Sequence, residues 1–175
     1  NKHNLLIYDK PMFFYPLSVL IYMGIKEILI VSSKSGVLSI RKIINKLSLD
    51  KKNNIKIKYG VQKRPNGIPE AFLIAKNFLR GSKKNVLLLG DNFFYGNKLP
   101  QYLKNELKNT TSSKIFLYKV SDPENFGSIN FKYNQKKIHS LVEKPKKPKN
   151  NFAITGLYFF DHNVVSYVKK LKKSR

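Results

Sequence analysis

The stretch Asn85-Val86-Leu87-Leu88-Leu89-Gly90-Asp91 runs from a short apolar segment straight into a glycine and a carboxylate. An apolar run of this length, closed by turn residues, is typical of a strand that is buried on both faces of a sheet. The run Glu27-Ile28-Leu29-Ile30-Val31-Ser32 has the same character. Two such strands predict a sheet that is covered by helices on both sides.

The remaining segments alternate between helical and strand periodicity. One helix is predicted to have Pro11 in its first turn and to end at Gly24. Further helices are predicted at residues 37–47, 70–79, 99–107 and 163–173, and further strands at 55–61, 114–120 and 152–160. Segments 127–131 and 137–142 are predicted to form an antiparallel hairpin. The pattern predicts an α/β fold with a parallel-type sheet and a small antiparallel insert.

Composition narrows the class of protein. The 175 residues are 42% hydrophobic, which is enough for a core and argues against global disorder. The absence of cysteine excludes disulfides, thiolate metal sites and a cysteine nucleophile. No apolar run approaches the roughly 20 residues of a membrane span, so we expect a protein without a membrane partner.

The chain is strongly basic, with 34 Lys+Arg against 10 Asp+Glu and a formal net charge of +24. Only four of these cations are arginines, although Arg is the side chain that clamps phosphate or reads guanine with two parallel hydrogen bonds. We therefore interpret the charge as background composition and expect no specific nucleic-acid partner. A non-catalytic, lysine-rich domain that binds polyanions is the alternative.

Several polar residues stand where a ligand could bind. Asp91 follows a buried strand, a position that suits Mg²⁺ on a phosphate but also suits a capped turn. Glu143 and Lys144 could bind a sugar hydroxyl and a phosphate, or form an exposed charge pair. Gln62 and Gly67 flank a loop that could meet a nucleobase edge or be an ordinary turn.

Six blocks in register carry a family resemblance. They are Tyr8-Asp9-Lys10-Pro11-Met12, Tyr15-Pro16-Leu17, Gly90-Asp91-Asn92, Phe94-Tyr95-Gly96, Glu143-Lys144-Pro145 and Thr155-Gly156-Leu157-Tyr158-Phe159. Their order and spacing resemble the glucose-1-phosphate thymidylyltransferases, nearly from end to end of the chain. The resemblance implies a Rossmann-like nucleotidyltransferase fold, a three-layer sandwich with a mixed, mostly parallel sheet and a small antiparallel insert.

The resemblance also implies a reaction, the Mg²⁺-dependent transfer of a thymidylyl group from dTTP to glucose 1-phosphate, which gives dTDP-glucose and pyrophosphate. It assigns Gln62, Gly67 and Asp91 to the nucleotide, with Asp91 as the Mg²⁺ ligand. It assigns Gly127, Glu143, Lys144 and Tyr158 to the sugar phosphate. Lys144 and Lys2 are the expected catalytic cations, since Lys2 precedes Asp9 by the same spacing as the family's phosphate-binding lysine.

The family's Gly-Gly-x-Gly-Thr-Arg-Leu loop and its second magnesium-binding Asp have no counterpart in this sequence. We therefore expect residues 1–175 to be a single, incomplete nucleotidyltransferase core that is weak or inactive alone. The full-length form is expected to be a cytoplasmic homo-oligomer. A sister sugar-phosphate nucleotidyltransferase that uses UTP or CTP is the closer alternative.

Overall fold

The structure, a computed structural model, describes residues 5–132 and 137–171. The strands are β1 (Leu6–Ile7), β2 (Lys10–Pro11), β3 (Glu27–Ser32), β4 (Lys56–Val61), β5 (Lys84–Leu88), β6 (Lys114–Lys119), β7 (Gly127–Lys132), β8 (Lys137–Glu143) and β9 (Phe152–Asp161). The helices are α1 (Phe14–Tyr22), α2 (Lys34–Leu47), α3 (Leu49–Asn53), α4 (Ile68–Ile74), α5 (Leu99–Asn109) and α6 (Val164–Lys170), with a 3₁₀ turn at Pro123–Asn125.

The described strands fall into three sheets, which are β1 with β2, β3 with β4, and a five-stranded sheet of β5, β6, β7, β8 and β9. β3 and β4 pair in parallel, from Glu27 opposite Lys56 to Ser32 opposite Val61. β9 pairs antiparallel with β5, β6 and β7, and β7 pairs antiparallel with β8. β9 is therefore the strand that joins β5 and β6 to the hairpin of β7 and β8.

The mixed α/β fold is confirmed, but its sheet is less parallel than predicted. Among the described strands, β3 with β4 is the one parallel pair of six. An apolar run shows that a strand is buried, and it carries no information about the direction of its neighbours. β5 is such a run, and it lies beside β9, which runs the opposite way.

Helix α1 packs against two apolar cores. Leu17 belongs to a core shared with β3 and α2, whereas Val19 belongs to one shared with α5 and β9. The buried residues of the first core are Phe13, Leu17, Ile28, Ile40, Ile44 and Ile55, and those of the second are Val19, Met23, Leu103, Leu157 and Phe159. This shared helix ties the parallel strands to the antiparallel ones.

The boundaries of several helices differ from the predictions. Pro11 lies in β2 opposite Leu6, not in a first helical turn, since an edge strand also tolerates a residue without an N–H. α2 begins earlier than predicted because the Ser33 hydroxyl accepts a hydrogen bond from the Gly36 amide and caps it. α4 begins at Ile68 and ends at Ile74, and turns replace the predicted helix up to Leu79.

Candidate functional site

Asp91 lies in a turn that is fastened to β9. After β5, the Leu89 amide donates to the Gly156 carbonyl at 2.9 Å. The Gly156 amide donates to Asn92 Oδ1 at 3.2 Å, and Asn92 Nδ2 in turn donates to Asp91 Oδ1 at 3.2 Å. The carboxylate of Asp91 is thus held at the end of β5 while its residue remains exposed.

Gln62 and Gly67 are joined across the loop that follows β4. Gln62 extends the parallel ladder, because its amide donates to the Ser32 carbonyl at 2.8 Å. Its side-chain Nε2 donates to the Gly67 carbonyl at 3.1 Å and to Glu70 Oε2 at 2.8 Å. Gly67 has φ +83°, a left-handed conformation that favours glycine, and it leads directly into α4.

Gln62, Gly67 and Asp91 line one cavity of about 550 Å³. Its walls come from β3, α4 and β5, and apolar side chains such as Phe72 and Val86 make up much of them. Both the volume and the mixture of apolar walls with a few polar groups are typical of small-molecule sites. The structure therefore brings together the three residues that the sequence assigns to the nucleotide.

Gly127 and Glu143 face each other in the hairpin of β7 and β8. A Cβ on Gly127 would lie 3.1 Å from Glu143 Oε2, so the glycine leaves room for that carboxylate. Lys144 follows with φ +44°, and its amide donates to the Phe126 carbonyl at 3.1 Å. Glu143 and Lys144 are both exposed, so their side chains are open to a ligand.

Tyr158 on β9 belongs to the same neighbourhood. Burial of its phenol and then the negative charge of Glu143 raise the pKa of Tyr158 above its ordinary value. Its ring stacks on Phe160, with 5.9 Å between the ring centroids. Gly127, Glu143, Lys144 and Tyr158 thus form a second group, which we call the hairpin group.

The cavity and the hairpin group are adjacent but distinct. The four residues of the hairpin group are not among the residues that line the cavity. β9 connects the two, because Gly156 contacts Asn92 beside the cavity and Tyr158 stands two residues further along. The predicted site residue Lys2 lies outside the described residues.

Asp91 would be a single protein ligand to a metal. Within residues 5–132 and 137–171, no three His, Asp or Glu side chains are grouped closely enough to hold an ion. One exposed carboxylate fits Mg²⁺ when phosphate oxygens and waters complete the shell, which is the usual arrangement at phosphate-binding sites. Asp91 therefore fits a metal that arrives with a phosphate ligand.

Two residues of the site are not among those predicted from the sequence. Asn92 fastens the turn of Asp91, and its position directly after Gly90-Asp91 is the signal that marks it. Glu70 binds the Gln62 amide, and it is one of only ten carboxylates in the chain.

None of the helices within the described residues is both long and apolar enough to cross a bilayer.

Comparison with known proteins identifies the family. The profile of the family described as nucleotidyl transferase matches residues 1–175. A glucose-1-phosphate thymidylyltransferase of Neisseria meningitidis is 40% identical over 99% of this chain and 59% of its own length. One from Xanthomonas campestris is 38% identical over 99% of this chain and 57% of its own length. The chain thus spans rather more than half of these curated relatives.

Solved structures share the fold. A Bacillus anthracis protein described as a glucose-1-phosphate thymidylyltransferase superposes with a TM-score of 0.82 at 32% identity, over 98% of this chain and 67% of that one. A UDP-glucose pyrophosphorylase bound to UDP-glucose superposes with a TM-score of 0.83 at 21% identity, over 99% of this chain and 72% of that one. At that lower identity the second likeness concerns the fold alone.

Proposed function

The chain belongs to the nucleotidyl transferase family, and we propose that the whole protein transfers a thymidylyl group from dTTP to glucose 1-phosphate. The observation that carries the proposal is the shared cavity of Gln62, Gly67 and Asp91 beside the hairpin group. A nucleotide and a sugar phosphate need two adjoining sites of this kind. The thymidylyltransferases at 40% and 38% identity support dTTP and glucose 1-phosphate as the substrates.

The reaction is a phosphoryl-type transfer. A phosphate oxygen of glucose 1-phosphate forms a bond to the α-phosphorus of dTTP, and the bond from that phosphorus to the oxygen bridging to the β-phosphorus breaks. Pyrophosphate leaves with the electron pair, and dTDP-glucose is the other product. Such a transfer depends on the placement of the two phosphates and on neutralisation of their charge more than on covalent catalysis.

Each group of residues has a role in this placement. Gln62 and Gly67 hold the thymine in the cavity. Lys144 neutralises the phosphate of the sugar, which makes the approach of two anions possible. Glu143 accepts a hydrogen bond from a glucose hydroxyl, while Gly127 and Tyr158 shape the wall of the sugar site.

Asp91 would hold Mg²⁺ together with the phosphate oxygens of dTTP. When bound, the ion supplies positive charge to the triphosphate. Lys2 is proposed as a second cation at the phosphates. The single incomplete domain, the homo-oligomer and the cytoplasmic location expected from the sequence stay predictions.

A polyanion-binding domain is the second candidate, and one observation favours it. A depression of about 800 Å³ is lined by Lys76, Arg80, Lys83, Lys84 and Lys108. Nonspecific binding there would weaken steeply with salt, because it depends on release of counterions. Transfer to a sugar phosphate would not follow from such binding.

Pyrophosphate release by the whole protein tests the proposal. With glucose 1-phosphate, release from dTTP should be faster than release with other sugar phosphates, and it should require Mg²⁺. Asp91→Asn should lower the rate at least about tenfold, the effect of losing a charged ligand, while Asp50→Asn, which removes the same charge from α3, should not. Equal rates with all sugar phosphates would contradict the assignment.

A further inference from the structure

Both hydrogens of the Gln62 side-chain amide are taken by acceptors. Nε2 donates to the Gly67 carbonyl at 3.1 Å and to Glu70 Oε2 at 2.8 Å. A backbone carbonyl and an ionised carboxylate accept hydrogen bonds and donate none. The amide group must therefore turn its NH₂ towards them, because the opposite orientation would set Oε1 against two oxygens.

Glu70 and Gly67 hold the amide from the same turn. Gly67 immediately precedes α4, and Glu70 lies in the first turn of that helix. Gln62 is half-buried and lines the cavity, so rotation of its amide is opposed by fixed partners. Within residues 5–132 and 137–171, no side chain or backbone amide donates to Oε1. This oxygen is the atom that Gln62 offers to a ligand.

We propose that Glu70 is a positioning residue that locks Gln62 as an acceptor and thereby selects pyrimidines with an N3–H over cytosine. The inference rests on the proposed function, in which Gln62 meets the base. Thymine and uracil present an N–H at ring position 3, and an amide oxygen accepts from it. Cytosine presents an unprotonated nitrogen there, which would face Oε1 without a hydrogen between them.

Glu70→Gln is the informative change because an amide at position 70 can donate as well as accept. Gln62 can then turn Oε1 towards position 70 and offer its NH₂ to a base, at the cost of the contact with Gly67. The preference for dTTP over dCTP, as the ratio of their kcat/KM values in the whole protein, should fall about tenfold. A loss of folding alone would lower the kcat/KM values for dTTP and dCTP by the same factor and leave their ratio unchanged.

The control is Glu124→Gln, the same substitution at an exposed position of the 3₁₀ turn. It should leave the ratio as in the parent protein. A direct readout of the lock is the pair of Gln62 side-chain NH₂ resonances. The two Nε2 hydrogens should exchange slowly with water in the parent protein. They should exchange rapidly in Glu70→Ala, in which one of the two acceptors is missing.

The outcomes separate the inference from the proposed function. A parent protein that transfers neither nucleotide, or both equally, contradicts the assignment of dTTP and the inference with it. A parent that prefers dTTP, together with a Glu70→Gln variant that keeps the full preference, contradicts the inference alone. An unchanged rate of NH₂ exchange in Glu70→Ala would also contradict the claim that Glu70 fixes the orientation of the Gln62 amide, whatever the nucleotide kinetics show.

Discussion

Asn92 occupies the space that a side chain at Gly156 would need. A Cβ on Gly156 would lie 2.6 Å from Asn92 Cγ, closer than real Cβ contacts approach. The same two residues are hydrogen-bonded, since the Gly156 amide donates to Asn92 Oδ1 at 3.2 Å. The turn that carries Asp91 thus packs closely against β9, and a glycine at position 156 leaves the space for Asn92.

Gly156→Ala should therefore displace Asn92 and destabilise the protein by about 1–3 kcal/mol, the usual cost of overpacking. The free energy of unfolding in urea measures it. Asn92→Ala should remove the obstacle, so the double variant should be more stable than the sum of the two single effects predicts. Gly96→Ala is the control, because its Cβ would meet Leu99 Cβ at an ordinary 3.5 Å. Strict additivity of Gly156→Ala and Asn92→Ala would contradict the contact.

Lys144 is predicted to bind the phosphate of the sugar. Lys144→Met keeps most of the length of the side chain and removes its charge. It should weaken binding of glucose 1-phosphate about tenfold or more, as expected for a charge-assisted hydrogen bond. Titration calorimetry measures the affinity. Lys146→Met, an exposed neighbour in the same loop, should have little effect. Equal losses in the two variants would show that the general positive charge, not Lys144, binds the sugar phosphate.

Tyr158 reports on the charge of Glu143. Because burial and Glu143 favour the neutral phenol in the folded state, its pKa lies above 10.0. The contribution of this raised pKa to the free energy of unfolding is present in full below pH 10.0. It is lost as the pH rises through the folded-state pKa of Tyr158.

Glu143→Gln should lower the pKa of Tyr158, which can be followed as the Tyr158 ring signal in a ¹³C NMR titration. Glu124→Gln, which removes a carboxylate from the 3₁₀ turn, is the matched control. An unchanged Tyr158 pKa in Glu143→Gln would show that the charge of Glu143 does not act on Tyr158.

Much of the fold is readable from the sequence because burial and turn chemistry are local properties. The run at residues 27–32 is strand β3, and the segments beside Gly127 form the predicted hairpin. Gln62 and Asp91 follow successive predicted strands, so their meeting at one edge follows from the general rule for ligand sites in α/β sheets. Those features need no knowledge of distant neighbours.

The remaining features depend on contacts between distant segments. The direction of β9 against β5 is set by packing across the chain and leaves no mark on either strand. Glu70 reaches Gln62 across a loop in which Gly67 has a positive φ, and the sequence of neither residue shows that contact. Asn92 and Gly156 are 64 residues apart in the sequence, so their fit could not be read from either motif.

The proposed placement of the two substrates is tested by a map of amide chemical shifts in ¹⁵N-labelled protein titrated with dTTP and Mg²⁺. The largest changes should occur at Gln62, Gly67 and Asp91, and glucose 1-phosphate should then shift the signals of Gly127, Glu143 and Lys144. Largest changes at Lys76, Arg80 and Lys83, with the three cavity residues unmoved, would contradict that placement. Such a result would make the protein a binder of polyanions.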